Sequence, residues 1–205
     1  MRRVLLVILG AALLTACSSP PEPTVVSGAP VIVPGRPGEV AATLSPGQTV
    51  APVPSPTVNA TDVRYVQDMI VHHRQALEMA ALAPERAQST SLKALASRIY
   101  DAQGPEIKAM SSWLEQEGLR EADHHADHSG MPGMATPAQL TDLRNASGED
   151  FDTRFVSLMV AHHQGAITMA EKEMINGSHD RVLGWAQDIV AEQSAEIARL
   201  NRLLG

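Results

Sequence analysis

Two stretches of this chain set apolar and polar positions in helical order, and they do so twice with the same spacing. In the first, Met69, His72, His73, Ala76, Met79 and Ala80 recur three and four residues apart. At about 100° per residue these positions fall within an arc of about 120°, so they share one helix face. Glu78 falls on the opposite side. The second stretch repeats the pattern as Met159, His162, His163, Ala166, Met169 and Ala170, every position 90 residues on, as from His72 to His162. The offset also relates Asp62 to Asp152, Arg64 to Arg154, Tyr65 to Phe155 and Val66 to Val156. A gap-free internal match of this length marks a duplicated structural unit.

Each unit carries a second stripe. In the first copy it is Leu92, Ala96, Ile99, Gln103, Glu106 and Met110; in the second, Val182, Ala186, Ile189, Gln193, Glu196 and Leu200. Both read as amphipathic helices interrupted by two polar residues.

Capping signals divide the stripes into four helices. Asn59, with Asp62 three residues on, predicts the first start, and Pro84 a stop near Ala83. Ser89 or Thr90 caps the second helix, which is expected to run to Gly118 and to kink at Pro105. Residues 119–146 read as a connector, with a loop in the second half of its 123–134 tract. Ser147 is expected to cap the third helix, ahead of Glu149 and Asp150 in its first turn. Asn176-Gly177 is a stop, and Ser178 the expected cap of a fourth helix reaching almost to Gly205. Apolar stripes that must face one another predict an all-α fold, an antiparallel four-helix bundle of two repeated hairpins, 59–118 and 147–205, forming one domain over 59–205.

The remaining chain reads differently. Met1-Arg2-Arg3, an apolar run from Val4 to Leu14, and Thr15-Ala16-Cys17 have the order of a secretory signal, residues 1–17. The run is too short to span a bilayer comfortably. Leu14-Thr15-Ala16-Cys17 resembles the bacterial lipobox, which makes Cys17 the lipidation site and places the protein on the extracytoplasmic face of a bacterial membrane, held only by its lipid. As the single cysteine, Cys17 also rules out an internal disulfide. Residues 18–58 hold ten of the 14 prolines and no sustained period, and so predict a disordered tether. At about 3.1 Å per residue it could reach on the order of 100 Å when extended.

Composition narrows the function. Hydrophobic residues are 44% of the 205 but aromatics only 3%, which suits packed helices better than a sheet sandwich. A net charge of −7 argues against a nucleic-acid partner. No Ser/His/Asp triad, phosphate-cradling loop or free reactive thiol is evident, so the chain is not read as an enzyme.

The candidate chemistry is metal binding. Ordinary packing explains any one methionine, and hydrogen bonding to Gln or Glu explains a buried histidine. A doubled His-His pair with Met at −3 and +7 is harder to explain that way, because leucine would pack as well. His72, His73, His162, His163, Met69, Met79, Met159 and Met169 are therefore the candidate ligands. Gln103 and Gln193 are expected at the depth of the histidines, with Glu106 and Glu196 slightly deeper, level with Met69 and Met159. Thioether favours Cu(I) and imidazole suits copper and zinc, so copper is the expected ion and zinc the second option. The connector supplies a secondary tract, His124, His125, His128, Met131 and Met134, expected to bind with modest affinity because a loop is not preorganised. His179, alone near a helix start, reads as a surface residue.

The segments Asp68–Ala80 (DMIVHHRQALEMA) and Leu158–Ala170 (LMVAHHQGAITMA) resemble the signature of the family named domain of unknown function 305. Gln103, Glu106-Ile107, Gln193 and Glu196-Ile197 are similar to its second signature. The resemblance covers about residues 59–205. It implies a ferritin-like four-helix bundle and, from exported copper-binding members, a role in copper sequestration or tolerance.

Two other function classes compete. A ferritin-like di-metal oxidase needs Glu-x-x-His motifs, but Met69 and Met159 stand three residues before the first histidine of each pair. A metal-free structural or interaction lipoprotein would use the polar stripe to fix helix register. Oligomeric state and any copper-handling protein partner are not encoded in these patterns.

Overall fold

The computed structural model describes residues 31–33, 40–45, 57–122 and 130–203. Cys17 with its signal-like segment, and His124, His125 and His128, lie outside them. Within Met1–Val53, strands β1 (Val31–Val33) and β2 (Ala42–Leu44) pair antiparallel with Ile32 opposite Thr43, a local pairing inside the segment read as a tether.

Pro54–Gly205 is a separate compact unit and is helical. Its elements are α1 (Ala60–Ala80), α2 (Ala83–Arg86), α3 (Thr90–Gln116), α4 (Pro137–Asn145), α5 (Gly148–Asn176) and α6 (Asp180–Asn201). The chain is all-α over this unit, and no described helix is long and apolar enough to cross a membrane.

The capping signals explain most boundaries. The Asn59 side chain accepts from Thr61 and Asp62 N–H groups, and Asp62 returns a bond to the Asn59 N–H at 2.6 Å. Such a box satisfies donors the first turn leaves orphaned and contributes about 1 kcal/mol. Pro84 does not simply end α1. The helix stops at Ala80, and Pro84 sits in the first turn of α2, where a missing N–H costs nothing. Ser89 caps α3, which runs through Pro105 without a break. Gly118, at φ 69°, adopts the left-handed backbone just beyond the α3 terminus.

Three further details differ from the sequence reading. The connector contains α4, started by a capping box in which Thr136 and Gln139 exchange bonds around Pro137. Ser147 occupies its cap position without a side-chain cap bond. At α6 the cap position is His179, while Ser178 Oγ donates to the Thr57 carbonyl and to Asp62.

Packing follows the stripes: α1 lies on α3 and on α5, and α5 on α6. The core falls into two apolar clusters. One joins Met79, Leu92, Leu95, Ile99, Phe151, Phe155, Met159 and Leu200; the other joins Tyr65, Met69, Met110, Trp113, Met169, Val182 and Ile189. Each long helix passes from one cluster to the other across buried polar residues: His72 and His73 on α1, Gln103 on α3, His162 and His163 on α5, Gln193 on α6. The order in which they cross shows that α1 runs antiparallel to α3 and α5, and α5 to α6.

Candidate metal centre

The middle of the long helices is a polar layer inside an apolar core. All four motif histidines are fully buried, and Gln103 and Gln193 nearly so. Alanines on the same faces, Ala76 and Ala166, are also fully buried and leave room for close approach. His72 and His162 meet ring to ring, with centroids 3.8 Å apart. The repeat thus brings its first histidines together at the centre.

The second histidine of each copy turns to its partner helix. His73 Nε2 lies 2.7 Å from Glu106 Oε2, and His163 Nε2 2.7 Å from Glu196 Oε2. Glu106 and Glu196 are thus level with the histidines, one turn from the expected methionine level. His72 Nε2 lies 3.0 Å from the Pro132 carbonyl. A carbonyl or carboxylate oxygen only accepts, so each of these Nε2 atoms carries the proton and donates. The consequence is that Nδ1 of His72, His73 and His163 keeps a bare lone pair. All three Nδ1 atoms are buried and without a hydrogen-bond partner, as are both ring nitrogens of His162. Gln103 leaves both of its amide atoms unpaired, and Gln193 its oxygen.

Electrostatics keeps three of these rings, His72, His73 and His162, neutral. Burial, followed by the charge of His73, pushes His72 down to about 3; burial, followed by His163, pushes His73 down to about 3. His162 is held well below the ordinary value by burial and by His72. Burial raises Glu106, and burial with the hydrogen-bonded Glu106 raises the exposed Glu192 beside it to about 7. Neutral imidazole is the form that binds metal.

The methionines flank this layer. Met79 and Met159 belong to one apolar cluster, Met69 and Met169 to the other, all buried. Among the described residues, no three His, Cys, Asp or Glu side chains stand in an arrangement that could hold an ion. The sequence signature brings the imidazoles together as pairs, with no four-histidine cage in this arrangement.

The connector is more ordered at its described end than a tethered loop. Gln75 grips Ala135 at two points, Nε2 donating to its carbonyl at 3.0 Å and Oε1 accepting from its N–H at 2.7 Å. Gly133, at φ 76°, presses on α5: a Cβ there would lie 2.9 Å from the Gly165 Cα and would strike the Ala161 carbonyl. A Cβ on Gly165 would strike the Pro132 carbonyl in turn. These two glycines let the Met131–Met134 strap dock beside the histidines, with both methionines half-buried. His179 is half-buried too, its ring 5.4 Å from that of Trp113.

From the sequence, Asp62 reads only as a capping partner and Asp152 only as its repeat mate, and Glu173 is missed. Asp62 is buried and accepts from Ser178 and His179 N–H groups at 2.9 and 3.0 Å; Asp152 accepts likewise from Gln88 and Ser89 at 3.0 and 2.8 Å. Their shared 90-residue offset was the available signal. Glu173, only 1% exposed with both oxygens unpaired, gave none.

Several solved structures resemble this chain. A DUF305 fragment from Deinococcus radiodurans is 32% identical, with a TM-score of 0.68 over 73% of this chain and 99% of its own. A DUF305 protein from Streptomyces coelicolor, whose name calls it secreted, is 29% identical, with a TM-score of 0.65 over 70% and 91%. CopM in its Cu(I)-bound form is 32% identical, with a TM-score of 0.60 over 71% and 96%. CopM has also been solved in Cu(II)-bound and Ag-bound forms. No curated protein is a match. The family model described as domain of unknown function (DUF305) matches residues 62–204, and the chain belongs to that family.

Proposed function

We propose that this protein is an exported, lipid-anchored copper-binding protein that sequesters the ion through histidine and methionine. The observation that carries this reading is the set of buried, bare imidazole nitrogens. Three of the four rings donate Nε2–H to an oxygen acceptor and leave Nδ1 without a partner. A carboxylate or carbonyl behind an imidazole is the usual outer support of a metal ligand. Without a ligand, each unpaired buried nitrogen costs about 1–3 kcal/mol. Flanking thioethers favour Cu(I), while imidazole with carboxylate suits Cu(II). Copper- and silver-bound CopM at 30–32% identity supports a metal cargo in the family, and the secreted relative supports an extracytoplasmic place. The chain order supports the anchor at Cys17, the tether at 18–58, and a ferritin-like bundle of two repeated hairpins.

Copper titration against a competing chelator tests the reading. The parent protein should hold copper that a variant with His72, His73, His162 and His163 all changed to Gln gives up. Unchanged affinity in that variant would remove the interior from consideration. Among the described residues no ready three-ligand cluster of His, Cys, Asp or Glu stands, which favours one rival, a metal-free interaction protein. That rival predicts thermal stability indifferent to copper, zinc and chelator, whereas a bound ion at 100 times its Kd should add about 2.7 kcal/mol.

A further inference from the structure

Among the places where the two copies differ, one carries a cavity. Beside α1 and α5 a space of about 560 Å³ is lined by Tyr65, Asp68, Met131, Met169 and Glu173, with Arg64 and Lys172 at its exposed rim. The positions 90 residues away from Tyr65, Met169 and Glu173 are Phe155, Met79 and Ala83. All three are fully buried in the other apolar cluster. One end of the molecule is therefore closed by hydrocarbon and thioether. The other has exchanged Phe for Tyr and Ala for Glu at the corresponding positions.

That exchange leaves polar atoms unpaired. The Tyr65 hydroxyl and both Glu173 oxygens are buried without a hydrogen-bond partner. Glu173 is tucked so tightly against Gly177 that a Cβ there would lie 2.6 Å from its Cδ. Its neighbour is the Asp62 carboxyl, whose oxygens also accept from Asn59, Ser178 and His179, so two buried acids face each other here. Burial, then a hydrogen bond with Asp62 and the Asp62 charge, push Glu173 up to about 8. A buried carboxyl beside a second carboxylate is a poor host for an anion and a good one for a cation. Arg64 does not fill that role, since it sits 3.5 Å from Asp68 at the surface.

We propose that this cavity is a second cation site, apart from the imidazole layer, in which the Met131 and Met169 thioethers and the Glu173 carboxylate hold a soft monovalent ion, Cu(I) or Ag(I). Thioether selects such ions over zinc. Met131 comes from the strap whose Pro132 carbonyl holds His72, so the site stands next to the interior layer on one side only. The proposal rests on the soft-metal reading above, takes Met131 and Met169 from its candidate ligands, and adds Glu173 in place of the imidazoles.

Equilibrium dialysis of the full chain against Ag(I), with bound silver counted by mass spectrometry, separates the two. A variant carrying Met131→Leu, Met169→Leu and Glu173→Gln should bind one equivalent fewer than the parent. The four-histidine variant should keep that equivalent, with sulfur neighbours in its silver X-ray absorption spectrum. An unchanged count in the triple variant overturns the cavity site even if the histidine variant loses metal. Loss confined to the triple variant overturns the histidine reading and leaves the cavity standing. Should the triple variant fail to fold, Met131→Leu alone, on the half-buried strap, must remove the sulfur signal in the histidine variant or the proposal fails.

Discussion

His162 shows most plainly what the interior gives up for chemistry. Both of its ring nitrogens are buried and unpaired, and its ring packs on that of His72. An apolar replacement should therefore relieve the metal-free protein. His162→Leu is expected to be as stable as the parent or about 1 kcal/mol more stable, while losing copper affinity. Urea unfolding without metal checks this; a loss above about 2 kcal/mol would mean that the ring is already satisfied. The same burial sets two pH limits. His72 and His73 titrate near 3 when folded and near 6.5 when unfolded, so the unfolded chain binds more protons between those values. Stability is full above about 6.5 and falls as pH drops toward 3. Glu173 works in the other direction. Its folded value, about 8, lies above the ordinary 4.5, so its contribution is full below 4.5 and is lost as pH rises through 8. Glu173→Gln should flatten the alkaline limb, gaining on the order of 2 kcal/mol over the parent at pH 9. Denaturation midpoints at pH 6 and 9 measure it; equal midpoint shifts in both proteins would refute the assignment.

Between elements, the two copies hold each other's turns. Asp62 on α1 fixes the turn before α6, and Asp152 on α5 fixes the turn before α3. Removing either carboxylate orphans two backbone N–H groups. Asp62→Ala should cost about 2–3 kcal/mol, because it also breaks the Asn59 box, and Asp152→Ala about 1–2. Thermal melts of the two variants test the order. The Gly133–Gly165 contact makes a different prediction. Gly165→Ala overlaps the Pro132 carbonyl, and overpacking of this kind costs about 1–3 kcal/mol. It should also lift the strap off His72 and speed protease cleavage near residue 130; unchanged cleavage would mean that the strap is held elsewhere. The elements themselves were largely legible. Asn59 with Asp62, Ser89, and Asn176-Gly177 place boundaries through local backbone chemistry. Helix α4 could have been read from Thr136-Pro137 and Gln139, a capping box hidden by treating the connector as one loop. The reach of Asp62 to Ser178 could not, because nothing local links residues 116 positions apart.

Across the helical unit, helical period and duplication were enough to place the histidines inside and opposite each other, since a 90-residue repeat with antiparallel packing maps one copy onto the other. They were not enough to place hydrogens. The tautomers follow from Glu106, Glu196 and the Pro132 carbonyl, and the last comes from the connector, which has no counterpart in the repeat. The buried acid at Glu173 was hidden for the same reason: it lies where the two copies differ. If the interior layer, and not the connector tract, is the tight copper site, copper must stay bound when the connector histidines are gone. The most direct measurement is chelator-competed Cu(I) binding in a protein with His124, His125 and His128 changed to Ala and the four interior histidines intact. Retention of tight copper with nitrogen neighbours in its X-ray absorption spectrum is the predicted result. Loss of all tight copper in that variant would contradict it.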